Sequence, residues 1–310
     1  MEQERESMHL NENRILYYHV IADNLPDIYP QGISLPGFIR QMNWLKRSGW
    51  SFTKLSDVVS GATKSTKNTS ITLDDGLACC FPALMHMIKN LNIKPTLFLI
   101  GKCLDNRALA WNHKLILLRR YVPMAKLERC IAEVLPRADS QNLFSRVAMA
   151  EKDELTDQLW KALMPFSQKD YLMRNKPFLS KEQMRELVSK GAELALHSFS
   201  HPDFSRVNYE EAKMELVSNC QALEELDLQY FKLFAYPYGL AGDESREIKL
   251  NQDLGISAFF GVRYSVGYNQ PGKLKWQRQN MEQNQLKNTL EFICKPQLRY
   301  LKSLLNKRSK

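Results

Sequence analysis

Two histidines four positions apart, His197 and His201 in "LALHSFSHPDF", follow an apolar run and are the last of only six in the chain. Imidazoles at that spacing can bind one cation from a single turn or tight loop. A zincin helix uses the same spacing, but it places a glutamate base beside the first histidine, where this chain has Ser198. Any base must therefore come from elsewhere. The stretch "ITLDDG" ends in two adjacent carboxylates, Asp74 and Asp75. Two such groups at a strand end repel each other, and a cation resolves the conflict by binding one and leaving the other in its field. Asp75 with His197 and His201 would make a two-histidine, one-carboxylate face with positions open for water. A metal there lowers the pKa of a water toward about 7, so a weak carboxylate base, Asp74, suffices. Gly76 lets the chain turn away without crowding the site. In "FAYPYG", Pro237 and Gly239 set a rigid turn that can aim the Tyr238 backbone N–H at a developing oxyanion.

These residues must be held by a scaffold, and the spacing predicts one. "RILYYHVI" reads as a strand ending near His19, and "LPGFIRQMNWLKRSGW" as a helix stopped by Gly49. Residues 61–70 read as a polar connector into the "ITLDDG" strand. "FPALMHMIKNLN" is helical with Pro82 in its first turn, and "KPTLFLIG" is a buried strand. Farther on, "SKEQMRELVSKG" is a helix capped by Ser180. "AELAL" is a strand that delivers His197 to its end, and "NYEEAKMELVSNCQALEEL" is a long amphipathic helix. "KLFAYPYG", "SREIKLNQDLG" and "SAFFGV" continue the alternation. Strands alternating with helices at this interval predict parallel β/α units, with polar residues gathered at the strands' C-terminal ends. Residues 103–178 break the pattern with helix-like segments only, and read as a helical insertion within a single domain spanning 1–310.

Composition bounds the function class. No apolar stretch approaches the ~20 residues of a membrane span, and the first residues, "MEQERESMHLNENR", lack the apolar centre of a secretory signal, which predicts a cytoplasmic protein. The six cysteines form no CxxC pair, which argues against a thiolate zinc site. The net charge of +9 suits an anionic partner. Part of it lies in a basic C-terminal helix or tail, residues 290–310, where Leu298, Leu301, Leu304 and Leu305 follow helical spacing. That helix reads either as packed on the body or as lying on an acidic membrane face, which would make the protein peripheral to the membrane's inner side. No nucleic-acid motif or aromatic-studded basic stripe is present.

The order and spacing of "TLDDG", "HSFSH" and "FAYPYG", with "KPTLFLIG" and "SKGAELALH" flanking them, resemble the NodB-type polysaccharide deacetylases, carbohydrate esterase family four, in the subgroup whose third motif reads AYPYG. The resemblance covers roughly residues 66–262. It implies a distorted (β/α) barrel, a divalent metal that is usually zinc, and hydrolysis of an N-acetyl group from an amino sugar. Carried over, Asp74 is the base, Asp75, His197 and His201 are the metal ligands, and Tyr238 serves the oxyanion; Tyr236 and Pro237 of the third motif are expected to touch substrate. Two positions depart from the family. Ala235 stands where an arginine usually steadies the base, and Arg278 in "WQRQN" is either its replacement or a surface arginine. The late histidine that protonates the leaving amine is absent; His19 is its possible substitute, a substrate contact or a structural residue. The partner expected is an N-acetylated sugar or glycan, phosphate-bearing or lipid-linked if the cytoplasmic address holds. A non-catalytic glycan-binding protein of the same fold, or a hydrolase of a non-sugar amide, are the alternatives.

Overall fold

A computed structural model describes residues 12–134, 149–282, 292–300 and 302. Among these described residues are eight parallel strands: β1 (Glu12–Tyr18), β2 (Ser51–Phe52), β3 (Lys67–Asp74), β4 (Thr96–Leu99), β5 (Glu193–Leu196), β6 (Leu233–Ala235), β7 (Ala258–Gly261) and β8 (Lys275–Asn280). Seven close into a barrel in the order β1-β3-β4-β5-β6-β7-β8, because β1 pairs with β3 on one side and β8 on the other. β2 adds two residues to the N-terminal half of β3. The expected (β/α) barrel is therefore the observed fold. Its distortion lies in the short strands: β5 and β6 share a single residue pair, Leu196 with Phe234.

Side-chain alternation along each strand builds two layers. Ile15, Phe98, Ala195, Ala235, Ala258, Phe260 and Trp276 pack together in one cluster, joined by Leu55 and Val58 of the helix Leu55–Ser60. Their strand neighbours, such as Leu16, Ile71, Leu97, Leu194 and Phe259, pack with the helices in the main core. Local signals start those helices as the sequence predicts. Ser180 forms a capping box with Gln183 ahead of Lys181–Ser189, and Asn208 does the same with Glu211 ahead of Tyr209–Glu225.

The connector expected over 61–70 is shorter than predicted, since β3 begins at Lys67. Asn68, Thr69 and Ser70 are polar yet buried. The Asn68 amide donates to Asn13 at 3.0 Å and the Ser70 hydroxyl to the Thr53 carbonyl at 2.8 Å, so these two are satisfied inside the sheet, whereas the Thr69 hydroxyl is buried with no partner. Strand β8 was not expected at all, because "KWQRQN" has one apolar residue in six.

Between β4 and β5 lies the helical stretch. It comprises α4 (Trp111–Tyr121) and helices Met124–Val134, Met149–Leu163 and Gln168–Asn175. Leu118, Val122, Leu127, Ile131, Leu155 and Leu159 form a small core of its own, while Trp160, Tyr171 and Leu172 join the main one. Residues 292–300 are helical. Phe292 is buried edge-on against Trp44 and Trp50, with the Arg14 guanidinium over its ring. Most of the basic tail, including Leu301, Leu304 and Leu305, lies outside the described residues. Among the described residues no helix is long and apolar enough to cross a membrane.

Candidate active site

The C-terminal rim of the barrel gathers the chemistry. Asp74 is the last residue of β3 and His197 follows β5 directly; His19 follows β1, and Arg278 lies in β8. With Asp75, His201 and Tyr238 they line one cavity of about 450 Å3. A larger cavity, about 650 Å3, opens between Asp105–Ala108 and Gln168–Lys176. It holds no converging imidazoles or buried carboxylates, so the smaller one is the chemical centre.

Asp75, His197 and His201 bring one ligand atom each to within 4.8 Å of one another, and all three are buried. Nε2 of His197 lies 3.5 Å from Asp75 Oδ1 and Nε2 of His201 lies 3.6 Å from the same oxygen. That oxygen has no hydrogen-bond partner although it is buried. An orphaned carboxylate oxygen facing two imidazole nitrogens is costly unless a cation sits among them. The donor set of two nitrogens and one oxygen fits a divalent metal with open positions. The outer contacts suit it too. Nδ1 of His197 is 2.8 Å from the Ala235 carbonyl, which requires N–H there and leaves Nε2 as the lone-pair atom. Burial, above all, keeps the pKa of His197 lowered and that of His201 well below its usual value, so both stay in the neutral form a metal binds.

The "HSFSH" loop is held from outside by the helix Tyr209–Glu225. Glu215 accepts from the amides of Phe199 and Ser200 at 2.9 and 2.8 Å, and Asn219 accepts from the His197 amide at 3.0 Å. Asp75, Ser198, His201 and Tyr238 all adopt left-handed backbone, with φ of 69°, 66°, 63° and 59°. Non-glycine residues pay roughly 1–2 kcal/mol for that conformation, and such strain clusters where side chains must be aimed. At Gly76, φ is +74° and an added Cβ would meet Leu99 Cδ2 at 2.7 Å, so the tight turn after the aspartates needs glycine twice over.

Arg278 is no surface residue. It is 1% exposed and forks onto Asp74, Nη1 to Oδ1 at 2.6 Å and Nη2 to Oδ2 at 2.9 Å. Burial alone would raise the Asp74 carboxyl; the guanidinium outweighs it and holds the pKa below the usual carboxylate value. Ala235, at the position where an arginine was expected, gives its carbonyl to His197 instead.

His19 stands on the same rim, stacked on Tyr29 at 4.7 Å. Its Nδ1 lies 3.0 Å from Glu282 Oε2, while Oε1 of the same carboxylate accepts from the amides of His19 and Val20. Burial would lower this imidazole, but the hydrogen bond and charge of Glu282 dominate and raise its pKa to about 9.

Two expected contacts are not found at the cavity. Tyr236 is buried beneath the rim, its hydroxyl donating to Glu247 and its ring packed on Phe234 and Phe259. Pro237 is buried as well, and neither lines the cavity. The reason is register: Tyr236 follows Ala235, which faces the barrel interior, and so points outward to the helix layer. Tyr238 does line the cavity, and its hydroxyl also meets His201 Nδ1 at 3.1 Å. Residues that sequence reasoning missed complete the wall: Glu282 behind His19, Tyr29, and Trp111, Leu115 and Ile116 of α4. The Trp111 indole donates to the His201 carbonyl at 3.0 Å. No motif marks any of these positions.

A family model described as polysaccharide deacetylase matches residues 61–259, and the chain belongs to that family. No curated protein matches the sequence. Among solved structures the fold is similar to the de-N-acetylase from Aggregatibacter actinomycetemcomitans, at 15% identity, covering 89% of this chain and 99% of that one with a TM-score of 0.59. It is similar to IcaB from Ammonifex degensii, at 17% identity over 90% and 95% of the two chains, TM-score 0.58. It is similar also to the Streptococcus pyogenes deacetylase PplD in complex with acetate, at 16% identity over 90% and 97%, TM-score 0.56. At these identities the likeness speaks for the fold.

Proposed function

We propose that this deacetylase is a metal-dependent hydrolase that removes the acetyl group from an N-acetylated amino sugar of a surface-glycan precursor or polysaccharide. The observation that carries the reading is the orphaned Asp75 oxygen facing two imidazole nitrogens beside an arginine-held Asp74. Asp75, His197 and His201 would hold the cation, with zinc the ion best suited to that donor set. Such an ion, when bound, acts as a Lewis acid toward the acetyl carbonyl and makes a water acidic. Asp74, kept ionised by Arg278, accepts the proton of the water that attacks the carbonyl carbon. The Tyr238 backbone N–H donates to the carbonyl oxygen as it gains charge. The C–N bond then breaks, and His19, protonated through Glu282, gives its proton to the departing nitrogen. Acetate and a free amine leave.

The test is acetate release from N-acetylated sugar donors and oligosaccharides. Chelation is expected to abolish release and metal to restore it, and Asp74→Asn to lower kcat about 10²–10⁴-fold. Release that survives both treatments contradicts the mechanism. Glycan binding with no turnover in the same assay would identify a non-catalytic sugar-binding protein, and turnover confined to non-sugar amides the other hydrolase. We propose further that it works in the cytoplasm on a phosphate-bearing or lipid-linked precursor, a class of substrate that its net charge of +9 suits. Recovery of the native protein in an extracellular fraction would contradict that address.

A further inference from the structure

α4, the helix that opens the insertion, is fastened at both ends to opposite parts of the rim. At its first residue, the Trp111 indole holds the His201 carbonyl and its ring faces that of Tyr238, centroids 6.3 Å apart. At its last residues, Arg120 and Tyr121 both reach Asp27, at 2.9 and 2.5 Å. Asp27 belongs to the loop that carries Tyr29 onto His19. Eleven residues at 1.5 Å rise make α4 about 16 Å long. It therefore runs along the cavity from the turn after β6 to the loop after β1, and Leu115 and Ile116 face the cavity between the two fastenings.

An interior unit of a polymer has a neighbour on each side, so a site that processes it needs a groove open at both ends. Here Trp111 and Tyr238 line one end of the cavity, and the Asp27 clasp stands one helical turn beyond Ile116, next to the Tyr29 wall and outside the lining itself. At about 450 Å3 the cavity has the size of a small-molecule pocket, which spans ~300–1,000 Å3, rather than of a polymer-long channel. We propose that the cavity admits only the terminal unit of an N-acylated glycan and excludes interior units. The proposal rests on the hydrolase reading for its chemistry and on α4 for its geometry. The apolar side chains of Trp111, Leu115 and Ile116 face the sugar ring, and any lipid or phosphate link at the far end of the chain stays outside.

The probes are β-1,4-linked N-acetylglucosamine oligosaccharides of two to six units, with the metal-loaded protein. Binding is read by saturation-transfer NMR on the Asp74→Asn variant, whose acetyl groups stay in place. The proposal expects saturation of the acetyl methyl of one end unit at every length. With the unsubstituted protein, tandem mass spectrometry is expected to find one acetyl lost per chain, at that end, whatever the length. Saturation of interior acetyl groups, acetyl loss that grows with length, or no saturation with any oligosaccharide overturns the proposal. Terminal-only saturation with no acetate release leaves it standing and overturns the hydrolase reading instead. Opening the clasp with Asp27→Ala and Tyr121→Phe together is expected to raise the acetyl loss above one per chain; an unchanged single loss would deny the clasp its role.

Discussion

His19 and Glu282 illustrate how much of this site is made by pairs distant in sequence, 263 residues apart. The groups facing His19 are Glu282 after β8, Tyr29 in the following loop, Tyr17 on its own strand, and Asp74 and Asp75 across the cavity. Its raised pKa, about 9, means that the imidazolium, the form required by the acid role proposed for it, is present below that pH and lost above it. Activity should therefore fall as pH rises through about 9. Glu282→Gln removes the charge that outweighs burial, so the falling limb should move to lower pH, about tenfold in rate for each unit of pKa lost. A kcat–pH profile with an unmoved limb would remove Glu282 from the acid's support. At this scale Asp74, Asp75, His197, His201 and Tyr238 were legible because each belongs to a short motif whose chemistry demands it. Arg278 and His19 were legible only as departures needing a replacement. Glu282 and Trp111 were invisible, since a carboxylate in "NMEQN" and a tryptophan at a helix start become site residues only once the chain has folded.

The elements that carry these residues differ in how firmly they are tied. β1 and β3 run together over seven residue pairs, whereas β5 and β6 share one. The hydrogen bond from His197 to the Ala235 carbonyl is thus a substantial part of the β5–β6 seam. Ligating His197 should fix that bond, so metal loading is expected to slow amide hydrogen exchange in residues 194–197 and 233–238 more than in β1 and β3. Equal exchange with and without metal would separate the seam from the metal site. Most elements followed from periodicity and caps, but β8 did not. Its inward positions are Trp276 and Arg278, and Arg278 reaches Asp74 from there, so function removed the apolar alternation by which strands are recognised. β1 and β8 also lie outside the stretch matched by the family model, yet they close the barrel and bring His19 and Arg278 to it.

On the scale of the whole molecule, the insertion keeps a small core of its own and is joined to the barrel's main core through Trp160 and Tyr171. The C-terminal helix is tied to the body at Phe292 and Arg14, while Ile293 and Leu298 stay exposed. These exposed apolar side chains and the net charge of +9 motivate the proposal that the protein contacts an acidic membrane peripherally. Co-sedimentation with vesicles rich in anionic lipid should occur at low salt and fall as salt rises; equal binding to neutral vesicles, or none, would refute it. Everything proposed about catalysis depends on one cation shared by Asp75, His197 and His201. The direct measurement is elemental analysis of the purified protein beside its Asp75→Ala and His197→Ala variants. The account predicts about one equivalent of divalent metal per chain, lost in both variants, as expected when three protein ligands form the site. A folded protein that binds no metal, or variants that keep it, would contradict the account at its centre.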